Sequence, residues 1–187
     1  MSIREWIRGL IDDADKRLYV VNPPFPSEPA LRTLLVSPEI HTLITGQQWP
    51  NADWTRRCNA LRADLESFVV GNYIGVSLTP REAGSAYMGL LAPEADGTWD
   101  IRSRDPSPGI RLLGRFAERD TFIALIPASR SVHSELMVRG PLGAFGSEEW
   151  NAAIKECNAE WRKLFPTYGP ITGGNAGDFL SAKYHVL

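Results

Sequence analysis

The stretch Thr98–Ile126, TWDIRSRDPSPGIRLLGRFAERDTFIALI, decides the fold. Thr98 to Arg102 reads as a strand. Asp105, Pro106, Ser107, Pro108 and Gly109 follow as a turn, because this run of breakers cannot extend a regular element. Ile110 to Phe116 is a second strand. Its alternation places Ile110, Leu112 and Gly114 on one face and Arg111, Leu113 and Arg115 on the other. Glu118, Arg119 and Asp120 make a tight connection, and Thr121 to Ile126 returns as a third strand. The three together read as an antiparallel β-meander.

Working outward, Tyr73 to Leu78 and Tyr87 to Leu91 add candidate strands, so residues 72–130 form the sheet region. Residues 1–71 read as mainly helical. Ser2 and Glu5 have capping-box spacing, and Ile3, Trp6, Ile7, Leu10, Ile11 and Ala14 recur at helical spacing. Leu18 to Val21 is a short apolar run before the rigid NPPFPSEP segment. Ser27 is expected to cap a short helix with Leu31, Leu34 and Leu35 inward. Ser37 is expected to cap another, with Pro38 at its first position and Gly46 at its end. The longest helix of this part spans about Ala52 to Val70 behind Asn51, with Trp54, Cys58, Leu61, Leu65 and Phe68 as its apolar stripe and Gly71 at its close. Arg56, Arg57, Arg62 and Glu66 read as its solvated face, or as a surface for RNA or a partner.

Residues 131–187 read as a loop, a long helix and a tail. Ser147 caps the helix, and Glu148 and Glu149 sit in its first turn, where the helix dipole favours anions. Trp150, Ile154, Cys157, Trp161 and Leu164 form its stripe, and Pro166 ends it. The tail run ITGGNAGD has glycines that suit a phosphate cradle, yet it lacks the Gly-Lys-Ser/Thr ending of a P-loop and the G-x-G-x-x-G spacing, and it reads as an ordinary surface loop. The expectation is one α+β domain over 1–187, with an antiparallel sheet of three to five strands packed by helices on one side. Trp54, Leu61, Leu65, Trp150, Ile154 and Trp161 are expected to share a core.

Composition bounds the function. The chain has 187 residues, 43% hydrophobic and 22% charged, with a formal net charge of −2. A protein that coats nucleic acid along its whole surface is strongly basic, so any such contact here needs a local patch. Cys58 and Cys157 lie on apolar stripes and are expected to be free thiols, as in a reducing compartment. The first residues lack a signal-peptide layout, and no stretch has the ~20 apolar residues of a membrane span. The expected location is cytoplasmic. His41, His133 and His185 have no zinc-ligand spacing with the two cysteines, so no metal or cofactor is expected.

The informative constellation is arginine on the meander. Arg102, Arg104, Arg111, Arg115, Arg119 and Arg130 lie in or beside three strands, and antiparallel neighbours stand about 5 Å apart on one face. Guanidinium forks match phosphate oxygens and stabilise charge developing at phosphorus. The alternative is a solvent-facing surface neutralised by Asp100, Asp105, Glu118 and Asp120.

The stretch from Gly97 to Arg130 resembles the sheet of RelE/HigB-type toxins of bacterial toxin–antitoxin pairs. Trp99, Arg102, Ile110, Arg111, Leu112, Asp120 and Arg130 occupy comparable places in about 40 residues. The resemblance implies metal-independent cleavage of RNA on the ribosome. It implies Arg111 and Arg130 as catalytic residues, with an antitoxin-like protein as a partner. Ser131 and Val132 stand where that family places a His or Tyr, and His133 follows as a candidate for proton transfer. Arg102, Arg104 and Arg115 are the expected nucleic-acid contacts. Tyr184 and His185 near the C-terminus are a further possible proton source or an edge strand. The competing reading is a non-enzymatic protein-interaction module of phage or mobile-element origin.

Overall fold

The structure, a computed structural model, describes residues 1–46, 49–80, 84–130 and 138–187. It has an α+β fold. Among the described residues, the five α-helices are α1 (Ile3–Asp12), α2 (Pro38–Thr45), α3 (Ala52–Val69), α4 (Glu148–Leu164) and α5 (Ala176–Phe179). Eight strands are β1 (Tyr19–Val20), β2 (Thr33–Val36), β3 (Ile74–Ser77), β4 (Met88–Leu90), β5 (Thr98–Ser103), β6 (Ile110–Glu118), β7 (Thr121–Ser129) and β8 (Tyr184–Val186).

Local chemistry explains the helix starts. Ser2 and Glu5 close a reciprocal capping box on α1. Ser37, Asn51 and Ser147 each accept a hydrogen bond from the backbone N–H three residues on, at the starts of α2, α3 and α4. Each such bond satisfies one of the donors a helix start leaves without a partner. The segment around Leu34 and Leu35 departs from expectation. It is β2, not a helix, because its backbone pairs in parallel with β7, Thr33 opposite Thr121 and Val36 opposite Ala124.

All eight strands join one sheet in the order β1-β2-β7-β6-β5-β4-β3-β8. The expected meander is its centre: β5, β6 and β7 are antiparallel neighbours, and β4 adds to them antiparallel. The whole sheet, however, is mixed. β2 runs parallel to β7, and β3 runs parallel to both β4 and β8. An antiparallel sheet of three to five strands is therefore corrected to an eight-stranded mixed one.

Helices cover both faces, not one. On one face α2, α3 and α5 bury Ile40, Trp54, Leu61, Leu65 and Phe179 against Leu34, Val76, Trp99, Leu112 and Phe122. On the other, α1 and α4 bury Leu10, Trp150, Ile154 and Trp161 against Leu35, Leu113, Ile123 and Leu125. The shared core expected for the α3 and α4 stripes is thus two cores with the sheet between them. The physical reason lies in the meander strands. Their two faces are both apolar over most of their length, and an apolar face must be covered. Cys58 belongs to the first core and Cys157 to the second. Both are free and buried, and burial raises their thiols to about 11 and about 12.

A register shift between Leu113 and Gly114 kinks β6 against β7. Gly114 sits there because a Cβ would fall on the Ile123 carbonyl oxygen and within 2.8 Å of the Ala124 Cα. The bulge lets Leu125 and Ile126 both face α4. Arg57, expected on a solvated face, is buried: it pairs with Asp53 at 2.6 Å and its guanidinium lies 5.2 Å from the Trp54 ring centroid. Across the sheet, Arg139 links Glu39 of α2 to Glu156 of α4.

Candidate functional site

Arg102, Arg104, Arg111 and Arg130 line one cleft with Ser103, Ser107, Pro108 and Gly109. Three strands build it. Arg102 and Arg104 come from the end of β5, Arg111 from the start of β6, and Arg130 follows β7. The pairing brings them together, since Arg102 stands opposite Arg111 and Ile110 opposite Ser129.

Beneath the cleft lies one carboxylate. Asp100 is fully buried. Its carboxylate accepts from Arg102 Nε at 2.9 and 3.0 Å and from Arg111 Nη1. Arg102 occupies the space over Gly89, where any side chain would collide with its guanidinium. The Arg111 guanidinium lies 5.5 Å from the Phe145 ring centroid and 5.3 Å from that of Trp150. These contacts orient two guanidinium groups at the floor of the cleft. At the rim, Arg104 donates to the Gly84 carbonyl and, at 2.7 Å, to the Ala86 carbonyl. Its side chain remains exposed, as does that of Arg130.

The electrostatics follow from this crowding. Four guanidinium groups face one cleft, and Asp100 is shared by two of them. Burial lowers the Arg104 pKa first, and the like charges of Arg102 and Arg111 lower it further, against the opposing pull of Asp100 and Asp105. Like-charge crowding of this kind favours entry of an anion, which relieves the repulsion.

Arg115 is not part of the cleft. It shares the face of Arg111, as alternation requires, but α4 covers it. Its guanidinium donates to Asn158 Oδ1 at 2.6 Å and to Thr98 Oγ1 at 3.4 Å. It lies 5.9 Å from the Trp161 ring centroid. Burial lowers its pKa. It is 6% exposed, so its charge serves the interior of this face and not the surface. His133 lies outside the described residues.

An adjoining cleft shares Arg102 and Arg104 and adds Asp64 and Ser67 of α3, Tyr73, Tyr87 and His185. Both clefts open at the end of the sheet where β5 and β7 finish and β3, β4 and β6 begin. Arg32 builds this region. Buried, it donates to the carbonyls of Asn72 at 3.1 Å and of Ala182 and Lys183 at 3.0 Å. That clamp holds the approach to β3 against the approach to β8. The consequence is a stack: the Tyr73 and His185 rings lie 5.4 Å apart with planes 12° from parallel. Tyr87 donates to the Asp64 backbone carbonyl at 2.8 Å. The sequence offered no pattern that joins Asp64, Tyr73 and His185, because their proximity depends on the parallel pairing of β3 with β8.

Two carboxyls line this second cleft, Asp105 and, on α3, Asp64. Burial raises the Asp64 pKa above the ordinary value, a hydrogen bond with Ser103 opposes the rise, and nearby Asp105 adds to it. Folding therefore favours its protonated form. That contribution to stability is present below the ordinary aspartate value of about 3.9 and is lost as pH rises through the higher folded value. Asp64→Asn stays neutral throughout and should gain stability relative to wild type between pH 3.5 and pH 7. Urea midpoints at the two pH values check this, and a difference that does not change with pH counts against it.

Among the described residues, no group of His, Cys, Asp and Glu is placed to hold a metal ion. No helix among them is long and apolar enough to cross a membrane. Compared with known proteins, the chain matches no family model, no curated protein and no solved structure.

Proposed function

We propose that this protein binds RNA through the phosphate backbone, at the cleft lined by Arg102, Arg104, Arg111 and Arg130. The observation that carries this reading is the convergence of four guanidinium groups from three strands over one buried carboxylate. Asp100 and the two aromatic rings hold Arg102 and Arg111 in place, so little ordering is left to occur when an anion enters. Arg104 and Arg130 at the rim are the groups that meet the ligand first. The resemblance to RelE/HigB-type toxins points to the same ligand and adds cleavage. For that step the described residues offer guanidinium groups for phosphate charge, and Asp64 and His185 in the adjoining cleft as proton carriers. A protein-interaction module is the second reading. Its specific support is the short edge strand β8, where Val186 at its end and the following Leu187 are about half exposed, an arrangement another chain can extend.

The test compares wild type with Arg104→Ala/Arg130→Ala, both at exposed positions that leave the Asp100 cluster intact. RNA binding is measured by fluorescence anisotropy at two salt concentrations, and cleavage by gel. The wild type should bind with an affinity that falls as salt rises. The double variant should bind more weakly, with a slope smaller by about two, one for each phosphate that an arginine no longer neutralises. Cleavage abolished in the variant assigns an enzyme, and binding without cleavage assigns a binding module. No RNA affinity at low salt, even on ribosomes, removes the RNA reading and leaves the interaction module.

A further inference from the structure

The second cleft carries features that phosphate binding alone does not explain. Tyr73 is 65% exposed, unusual for a tyrosine beside a sheet. Its ring is nevertheless held flat on His185, and the Arg32 clamp on the Asn72 and Lys183 carbonyls orders the backbone next to both rings. The His185 ring itself lies over Gly75, in the place a side chain there would take. An ordered, solvent-facing aromatic pair thus borders the same hollow as Arg102 and Arg104. That hollow measures about 600 Å³, room for one nucleotide unit. Asp64 and Ser67 of α3 and Asp105 also line it.

We infer that this second cleft is a nucleotide subsite for single-stranded RNA, in which one base stacks on the Tyr73–His185 pair while its phosphate meets Arg104 at the rim. The inference rests on the RNA reading of the arginine cleft and specifies the form of RNA. A base in a duplex is already stacked on both sides and cannot reach a flat aromatic platform, whereas an unpaired base can. Arg102 and Arg104 line both clefts, so the strand passes from the four-arginine cleft into this one without leaving the guanidinium groups. The Asp64 carboxyl and Ser67 hydroxyl supply hydrogen-bonding groups at the base edge.

The test uses the full chain and three probes: a single-stranded oligoribonucleotide, a duplex of the same sequence, and inorganic polyphosphate. Tyr73→Ala should weaken single-strand binding about tenfold, within the range typical for removal of one base-stacking ring. It should leave polyphosphate binding unchanged. Tyr73→Phe keeps the ring and should bind the single strand like wild type. Tyr73 is exposed, so both variants should fold, which circular dichroism verifies. The inference is overturned if Tyr73→Ala leaves single-strand affinity unchanged. It is equally overturned if the variant weakens polyphosphate and RNA alike, since the ring then only supports the arginines. Wild type that binds duplex as tightly as single strand also overturns it, while the arginine cleft still stands as an RNA site. Wild type that binds neither RNA nor polyphosphate removes both.

Discussion

Replacing Asp100 with alanine should destabilise the protein by about 3–5 kcal/mol, the usual cost of breaking a buried ion pair by removing one member. Asp100 is fully buried between two guanidinium groups, and Arg102 is itself only 7% exposed. The wild-type arrangement works because one carboxylate supplies acceptors to both arginines, at 2.9 and 3.0 Å for Arg102. Without it, Arg102 retains its charge against Gly89 of β4, with only 5% of its side chain exposed to water. Arg111 is better placed to relax, because its side chain is 20% exposed. Most of the loss therefore traces to Arg102. Asp100→Ala/Arg102→Met, which removes the trapped charge together with its partner, should recover much of it. Urea denaturation of the two variants measures this. A loss below about 1 kcal/mol in Asp100→Ala, the scale of an exposed ion pair, would show that water reaches Arg102 and that the cluster is not buried as described.

Trp161→Ala should cost about 3–5 kcal/mol, as large-to-small changes at buried tryptophans do. Trp161 is 1% exposed, stacks on Phe165 at 4.4 Å, and donates from its indole N–H to the Tyr168 carbonyl at 2.9 Å. It also covers Arg115, whose guanidinium otherwise rests on Asn158 and Thr98. The substitution leaves a cavity, an unpaired carbonyl and a less shielded guanidinium in one place. Trp161→Phe fills most of the volume and should lose less. The readout is the denaturant midpoint, together with RNA affinity near wild type under native conditions, because Arg115 lies outside the cleft. Affinity that falls in proportion to Arg115 exposure would instead make Arg115 a ligand-binding residue.

The readings that succeeded from the sequence share one physical property: they depend on neighbours close along the chain. Ser2, Ser37, Asn51 and Ser147 cap their helices through bonds spanning three residues. The apolar stripes of α3 and α4 follow from helical spacing alone. The β5–β6–β7 meander follows from alternation and the breakers between strands, and it correctly places Arg111 and Arg115 on one face. The short run at Leu34 and Leu35 was expected on a helix and is a strand, because four apolar-rich residues fit a helix turn as well as a strand.

Tertiary structure decided the rest. The parallel pairs β2–β7 and β3–β8 join segments about 90 and 110 residues apart, and no turn or local signal announces such a pairing. Those pairings widen the sheet to eight strands and divide the helices between its two faces. The second of them also brings His185 onto Tyr73. Alternation placed Arg111 and Arg115 side by side but could not say what lies above them. Helix α4 settled it, covering Arg115 with Trp161 and leaving Arg111 half-buried beside Trp150 at the floor of the cleft. A side chain's face is a property of its own strand; its exposure is a property of whatever packs on that face.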